Sequence, residues 1–523
     1  MKQLPLFIMI VALLAASVRA NEPQEEIRLP AHESYRAPYD KSNDDAFKGQ
    51  HVKITVTPAT FPYPLLKYRL HTFSAEFESG NAAPLYQQAY MEFTRIQSER
   101  METVYKSKEY VELELADDSE GAMRLEIEKL KFKAFPIPAL NGEASKMTDV
   151  SITPEQEAAM YQNLDRVFRI LERASRQSYC DWSDRIQYHG VASLIPHIQE
   201  ARMLARYLQG KANWEIRNGK YDDAVKTIRV GFMIGNHVEQ DPFLISTLIG
   251  SSIHGMILSE LRTLESQPDA PNFYPALTQV YFPGNAVQNG MQNELAFLWS
   301  KKETYKGFDN IDTLSADECR MYFDDVIDSF LIWVNVNPES NTYKFSKPVF
   351  CTLLYPFARD RLLQKGMSES EIEAMPVHQV VTPYLLEKIK GKYDNLIVLS
   401  SFPAGATHTA ISADDLFFRG VKTPVDFFLY NVLASPYMVR SAFLRQKQTC
   451  ELMKITEAIR YYAAVHDGKL PESLDAIKEV PVTTIDPLSG QPFGYRIEGN
   501  TVLIDYTNNE KSRLEITVNG SEK

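Results

Sequence analysis

The chain has no CxxC pair, no GxxxxGKS/T phosphate loop, no GxGxxG fingerprint and no HExxH helix. Each absence removes a local chemistry: thioredoxin-type redox exchange and zinc ribbons, nucleotide phosphate cradling, dinucleotide binding and zincin-type hydrolysis. No cofactor is therefore expected. The nearest approach to a GxSxG nucleophile elbow is GSSIHG at 250–255, which is one residue too long and lies in a helical pattern. Cysteine is scarce, with Cys180, Cys319, Cys351 and Cys450 far apart. That spacing leaves three disulfide pairings open, and free buried thiols as the alternative. Positive charge is also in short supply. Lys+Arg total 56 against 68 Asp+Glu, a net charge of -12, which argues against coating nucleic acid or an anionic membrane surface. Past the N-terminus no uncharged run looks lipid-facing. The nearest, Pro242–Ser259, is interrupted by serines, Thr247 and His254 and fits a helix buried in a bundle.

What is present begins with a leader. Lys2 precedes the apolar run Leu4–Ala16, and Val18-Arg19-Ala20 places small residues at the -3 and -1 positions of a cleavage site. The pattern is that of a secretory signal peptide cut after Ala20, with an uncleaved membrane anchor as the alternative. Once cleaved, the chain has no expected membrane span and is secreted or periplasmic.

Residues 21–45 are polar and acidic, a flexible leader. A mixed α/β region follows over 46–150. HVKITVT (51–57) alternates as a strand, Leu85–Met101 has helical spacing, and weaker elements occupy 110–115 and 123–130. Residues 151–300 form a helical-hairpin body. Pro196 opens one helix whose apolar face runs through Ile198, Ala201, Ala205, Leu208, Ala212 and Ile216, and Asn218-Gly219 stops it. Tyr221 begins the next. Asp241-Pro242 then supplies a capping acid and a first-turn proline for a helix that runs to about Ser266. Residues 301–440 make a second helical and irregular region, irregular above all over 396–408. Residues 441–523 are a helix plus a small antiparallel sheet. The fold class expected is mainly α.

Three constellations are candidates for chemistry. His197 and Glu200 lie three apart on one helix face, spacing that suits half a metal site or a base with an orienting acid. A helix N-terminal acid and a capping histidine are the stronger reading of the pair. His254, with Ser251 and Ser252 beside it, is the nearest additional ligand, while Asp184 and His189 precede the helix. No second Glu-x-x-His element completes a di-metal bundle, so no metal is expected, and His197, Glu200 and His254 are the set to test. Gly250, Ser251 and Gly255 suit close helix packing. In Cys180-Asp181-Trp182 the acid would raise the thiol pKa, which makes Trp182 a packing anchor rather than part of a nucleophile.

Three resemblances extend this reading. KANWEIRNGKYDDAVKTI (211–228) resembles one tetratricopeptide hairpin, through Ala212, Gly219, Tyr221 and Ala224, without a repeat at the 34-residue period of that family. AIRYYAAVHDGKLPESLDAI and DPLSGQPFGYRIEGNTVLIDY resemble the soluble domain of type II secretion pseudopilins. The long chain ahead of that module departs from their pattern, so filament assembly does not carry over. In the major pseudopilins a C-terminal loop binds calcium; the stretch 505–510 is oxygen-rich but does not match that loop ligand by ligand and reads as a polar turn. LKYRL (66–70), GNAAPLYQQAY (80–90), CDW (180–182), LIPHIQEARMLARYL (194–208), DPFLISTLIG (241–250) and QPDAPNFYPALT (267–278) resemble a group of exported helical proteins abundant in planctomycete bacteria. This last resemblance implies export and a helical body, and no activity. The function expected is a non-catalytic envelope scaffold that binds other envelope proteins. A periplasmic hydrolase with a site assembled from distant residues is the alternative, since such sites need no local motif. A membrane-tethered component is the third.

Overall fold

The computed structural model describes residues 51–106, 154–182, 195–241, 243–280, 311–333, 339–401, 424–506 and 512–520, with a few isolated positions besides. The expected signal peptide and leader, the weak elements at 110–115 and 123–130, Asp184, His189 and most of the 505–510 loop lie outside these residues. In chain order the elements are β1 (His51–Val56), β2 (Glu78–Asn81), α1 (Ala83–Tyr105), α2 (Pro154–Asn163), α3 (Asp165–Ala174), β3 (Gln177–Tyr179), α4 (Pro196–Arg217), α5 (Tyr221–Val238), α6 (Leu244–Glu265), α7 (Ala316–Trp333), α8 (Asn341–Gln364), α9 (Val377–Ser401), α10 (Pro424–Val465), β4 (Gly494–Glu498), β5 (Thr501–Asp505) and β6 (Arg513–Val518). The protein is mainly helical with a small mixed sheet. It divides into two units, one of residues 51–182, 195–286 and 442–523, the other holding residues 287–441.

In the first unit α4, α5 and α6 pack on one another in all three pairings, and α1 packs on α3 and α4. The hairpin forms where the sequence places it. Pro196 occupies the first turn of α4, where a missing N–H costs nothing. Gly219 turns the chain with a φ of 70°, and the Lys220 N–H closes the helix end on the Glu215 carbonyl. Asp222 and Asp223 sit in the first turn of α5, where the helix dipole favours acids. Ala212 and Ala224 are fully buried.

The start of α6 differs from expectation. Its N-cap is Phe243, with no side-chain cap, and Asp241 turns inward to other partners. α6 is long and apolar enough to cross a membrane, yet 67% of its apolar window is buried within the protein.

The sheet has the order β1-β6-β5-β4. β4, β5 and β6 are antiparallel neighbours, as their alternating patterns and the Gly499 turn predict. β1, from the stretch read as an N-terminal mixed region, joins β6 in parallel, with Val52 opposite Leu514 and Ile54 opposite Ile516. The sheet is therefore mixed rather than antiparallel. Its inner face, Ile54, Val56, Val502, Ile504, Leu514, Ile516 and Val518, shares a core with Leu452, Ile455, Ala458, Ile459 and Ala463 of α10.

In the second unit α7, α8 and α9 pack together. Residues 396–401, expected to be irregular, continue α9, and α8 is helical through Pro348 and Pro356. Each proline removes one backbone donor. The apolar face of Leu353, Leu354, Ala358 and Leu362 is buried nonetheless, and that packing outweighs the local preference.

Candidate functional site

Several buried ionisable side chains of the first unit gather around the α5–α6 turn. His197, from α4, places Nε2 3.1 Å from Oδ2 of Asp241, and the Ser246 hydroxyl donates to the same oxygen at 2.5 Å. One carboxylate oxygen thus serves both groups. The serine proton points at the acid and not at an imidazole, so no serine–histidine relay is assembled here. Two residues back, Glu239 meets His254 of α6, with Oε1 3.3 Å from Nδ1 and both side chains 1% exposed. The other ring nitrogen of His254 lies 3.2 Å from the Phe232 carbonyl oxygen. That carbonyl is placed to accept the Nε2 proton, which leaves Nδ1 facing the Glu239 carboxylate at ion-pair distance.

Close backbone approach makes this arrangement possible. A Cβ on Gly235 would lie 2.4 Å from His254 Nε2, and one on Gly250 would lie 2.4 Å from Glu239 Cγ and 2.8 Å from the Gly235 oxygen. Gly250 thus serves the packing role its sequence suggested. Gly255 does not, because nothing lies within 4 Å of the position its Cβ would take. Ser251 is buried and engaged with Gln446 of α10, its hydroxyl donating to Oε1 at 3.2 Å.

A second layer joins α1, α4 and α5. The Trp182 ring stacks between Tyr86 (centroids 5.4 Å apart) and His197 (5.0 Å), and its indole N–H donates to the His237 carbonyl at 3.1 Å. Trp182 is the packing anchor its sequence suggested. Cys180 is buried beside it, its thiol pushed up by burial and then by Asp241 and Asp181, which makes it unreactive.

The Tyr86 hydroxyl lies 2.8 Å from His237 Nδ1, and the imidazole also hydrogen-bonds the Gln177 backbone. Burial lowers the His237 pKa to about 4, the Gln177 contact opposing it. Against an unfolded value of about 6.5, the unfolded chain binds the extra proton between those limits. The stability held by neutral His237 is present above pH about 6.5 and is lost as pH falls to about 4, roughly 3 kcal/mol in all. Urea denaturation from pH 7 to 4 should show this loss. His237→Gln should flatten the slope, and an unchanged slope would contradict it.

The sequence candidates therefore separate. His197 pairs with Asp241 and His254 with Glu239, while Glu200 is half-buried, its pKa raised by burial and partly restored by His197. Among the described residues no group of three or more His, Cys, Asp and Glu could hold a metal ion. Tyr86, His237, Glu239 and Asp241 were not legible as partners. The only sequence signal was polar residues falling on otherwise apolar helix faces.

A third buried cluster fixes α10 to the loop after α6. The Arg460 guanidinium donates to the carbonyls of Thr57 (2.9 Å), Pro271 (3.3 Å) and Ala270 (2.7 Å) and to Glu457 (2.7 Å). Glu457 also accepts from the Phe273 N–H at 3.0 Å. Glu265, fully buried beside them, has no hydrogen-bond donor on either oxygen, and burial with the neighbouring Glu457 pushes it well above the usual carboxylate range. Burial raises Glu457 as well, but Arg460 and the Phe273 N–H oppose that shift, so of the two Glu265 is the more readily protonated.

No protein-family model, curated protein or solved structure matches the chain. The class defined by the fold is a mainly helical protein with a small mixed sheet.

Proposed function

We propose that the protein is an exported cell-envelope scaffold that binds other envelope proteins, built on a tetratricopeptide-like hairpin and a pseudopilin-like C-terminal module. One observation carries this reading. His197, His237, His254, Glu239 and Asp241 are all less than a tenth exposed and face one another, the hydroxyls of Tyr86 and Ser246, or backbone. Groups so enclosed position helices and do not meet a substrate, which leaves the outer surfaces to perform the function. The leader sequence supports export.

The test has two arms. N-terminal sequencing of the processed protein should begin at Asn21, whereas Met1 on membrane-bound protein would support the tethered reading. The mature chain, used as bait on envelope extract, should retain a partner that binds again when both are purified. Loss of binding on re-purification, together with turnover in a panel of ester, peptide and glycoside substrates, would replace the scaffold by the hydrolase.

A further inference from the structure

The four cysteines are free and differ in access: Cys180, Cys319 and Cys450 are buried, and Cys351 is half-exposed. Among the described residues Cys351 is the cysteine that faces an imidazole. Its Sγ, on α8, lies 3.9 Å from Nε2 of His378 in the first turn of α9, within hydrogen-bonding reach for sulfur. Phe323 of α7 sets its edge against the His378 ring, with centroids 5.3 Å apart and planes at 74°. Burial, and after it the charge of Asp324, push the Cys351 thiol up to about 11, so its resting form is protonated and reaction needs a base.

Lys347, one turn before Cys351 on the same helix, binds Asp324 at 3.1 Å and Asp328 at 2.9 Å. Its ammonium offsets the carboxylate that would oppose a thiolate, and Tyr343 donates to the other oxygen of Asp328 at 2.6 Å. The thiol is thus faced by His378 from α9 and feels the charge of Asp324 from α7, which Lys347 of α8 pairs together with Asp328. Among the described residues no other cysteine combines access with a base. The contact of Cys319 is the Leu314 carbonyl, and burial holds the Cys180 and Cys450 thiols protonated.

We propose that Cys351 and His378 form a thiol-exchange site whose substrate is a low-mass disulfide. Nε2 of His378, in the tautomer protonated at Nδ1, accepts the Cys351 proton as Sγ attacks one sulfur of the disulfide. A new S–S bond forms between Cys351 and that half, the original S–S bond breaks, and the other half leaves as a thiolate that takes the proton back from His378. One thiol is consumed and one released, so the exchange needs no further oxidant.

The test uses the full native chain, reduced and desalted, with a nitrobenzoate disulfide as probe. One equivalent of coloured thiolate per chain is expected, with the mixed disulfide mapped by mass spectrometry to Cys351. Cys351→Ser should remove that equivalent. His378→Gln should slow it by at least about tenfold, the lower range of what a positioned base contributes. The same variant should label at the wild-type rate in denaturant, which shows that the base and not the thiol was lost. Mapping of the label on the wild-type chain stands even where a variant fails to fold. Label on another cysteine, or an unslowed native rate in His378→Gln, would overturn the proposal.

Discussion

Replacing Arg460 with methionine is expected to destabilise the unit that contains the sheet by about 3–5 kcal/mol, the range for breaking a buried charge pair from one side. Arg460 is fully buried and reaches four acceptors, three of them backbone carbonyls on two other segments. Methionine fills a comparable volume but donates to none of them. Glu457 would then remain as a buried carboxylate beside Glu265 with only the Phe273 N–H. Arg460→Lys should recover little, because an ammonium lacks the planar fork that serves Thr57, Ala270 and Pro271 together. Arg460→Met with Glu457→Gln should recover more, since it removes the stranded charge. Denaturant unfolding measures the cost, and hydrogen exchange should locate it, with protection lost first at the Ala59 N–H that bonds the Arg460 carbonyl. A single variant as stable as the wild type would show that the cluster is not a clamp.

The second large effect is expected at Gly250. An alanine Cβ there meets Glu239 Cγ at 2.4 Å and the Gly235 carbonyl oxygen at 2.8 Å, and the second contact is backbone that cannot rotate away. α5 and α6 would have to separate, at a cost of about 1–3 kcal/mol or more, and the Glu239–His254 pair would open. Gly255→Ala is the control. It lies five residues on in the same helix, is exposed and has no atom within 4 Å of the added Cβ. There the gain in helix propensity should stabilise by about 0.5–1 kcal/mol. Thermal unfolding of the two variants should move in opposite directions; equal shifts would refute the close approach.

Both effects were only half legible in the sequence. The hairpin could be read because its signals are local: Pro196 to open, Asn218-Gly219 to turn, Asp222 and Asp223 to begin again, and apolar residues three or four apart. Gly250 could be read as a small residue at a contact, but not distinguished from Gly255, because which face of α6 meets α5 depends on packing. Glu457 and Arg460 break the stripe of Leu452, Ile455 and Ile459, and two charges beside an apolar face signal a buried pair without naming its partners. Those partners, Thr57, Ala270 and Pro271, lie hundreds of positions away or in another loop. The candidate site fared similarly. His197 and His254 were visible as histidines on helix faces, whereas Asp241 looked like a helix cap because a carboxylate before a proline suits both roles. The helix of α8 runs through Pro348 and Pro356, and the tertiary burial that overrides them has no local signature.

The parallel pairing of β1 with β6 also sets when the molecule can finish folding. Val52 and Leu514 are about 460 positions apart, and closing so long a loop costs about 5 kcal/mol of chain entropy before any strand contact repays it. A chain delivered N-terminus first, by a ribosome or through a translocation pore, presents its first strand long before the strand that completes the sheet exists on the same side. Until then β1 and the inner face of α10 carry exposed apolar residues without their partners. The order of synthesis keeps this sheet open until β6 has emerged, and makes the last strand the one that closes it.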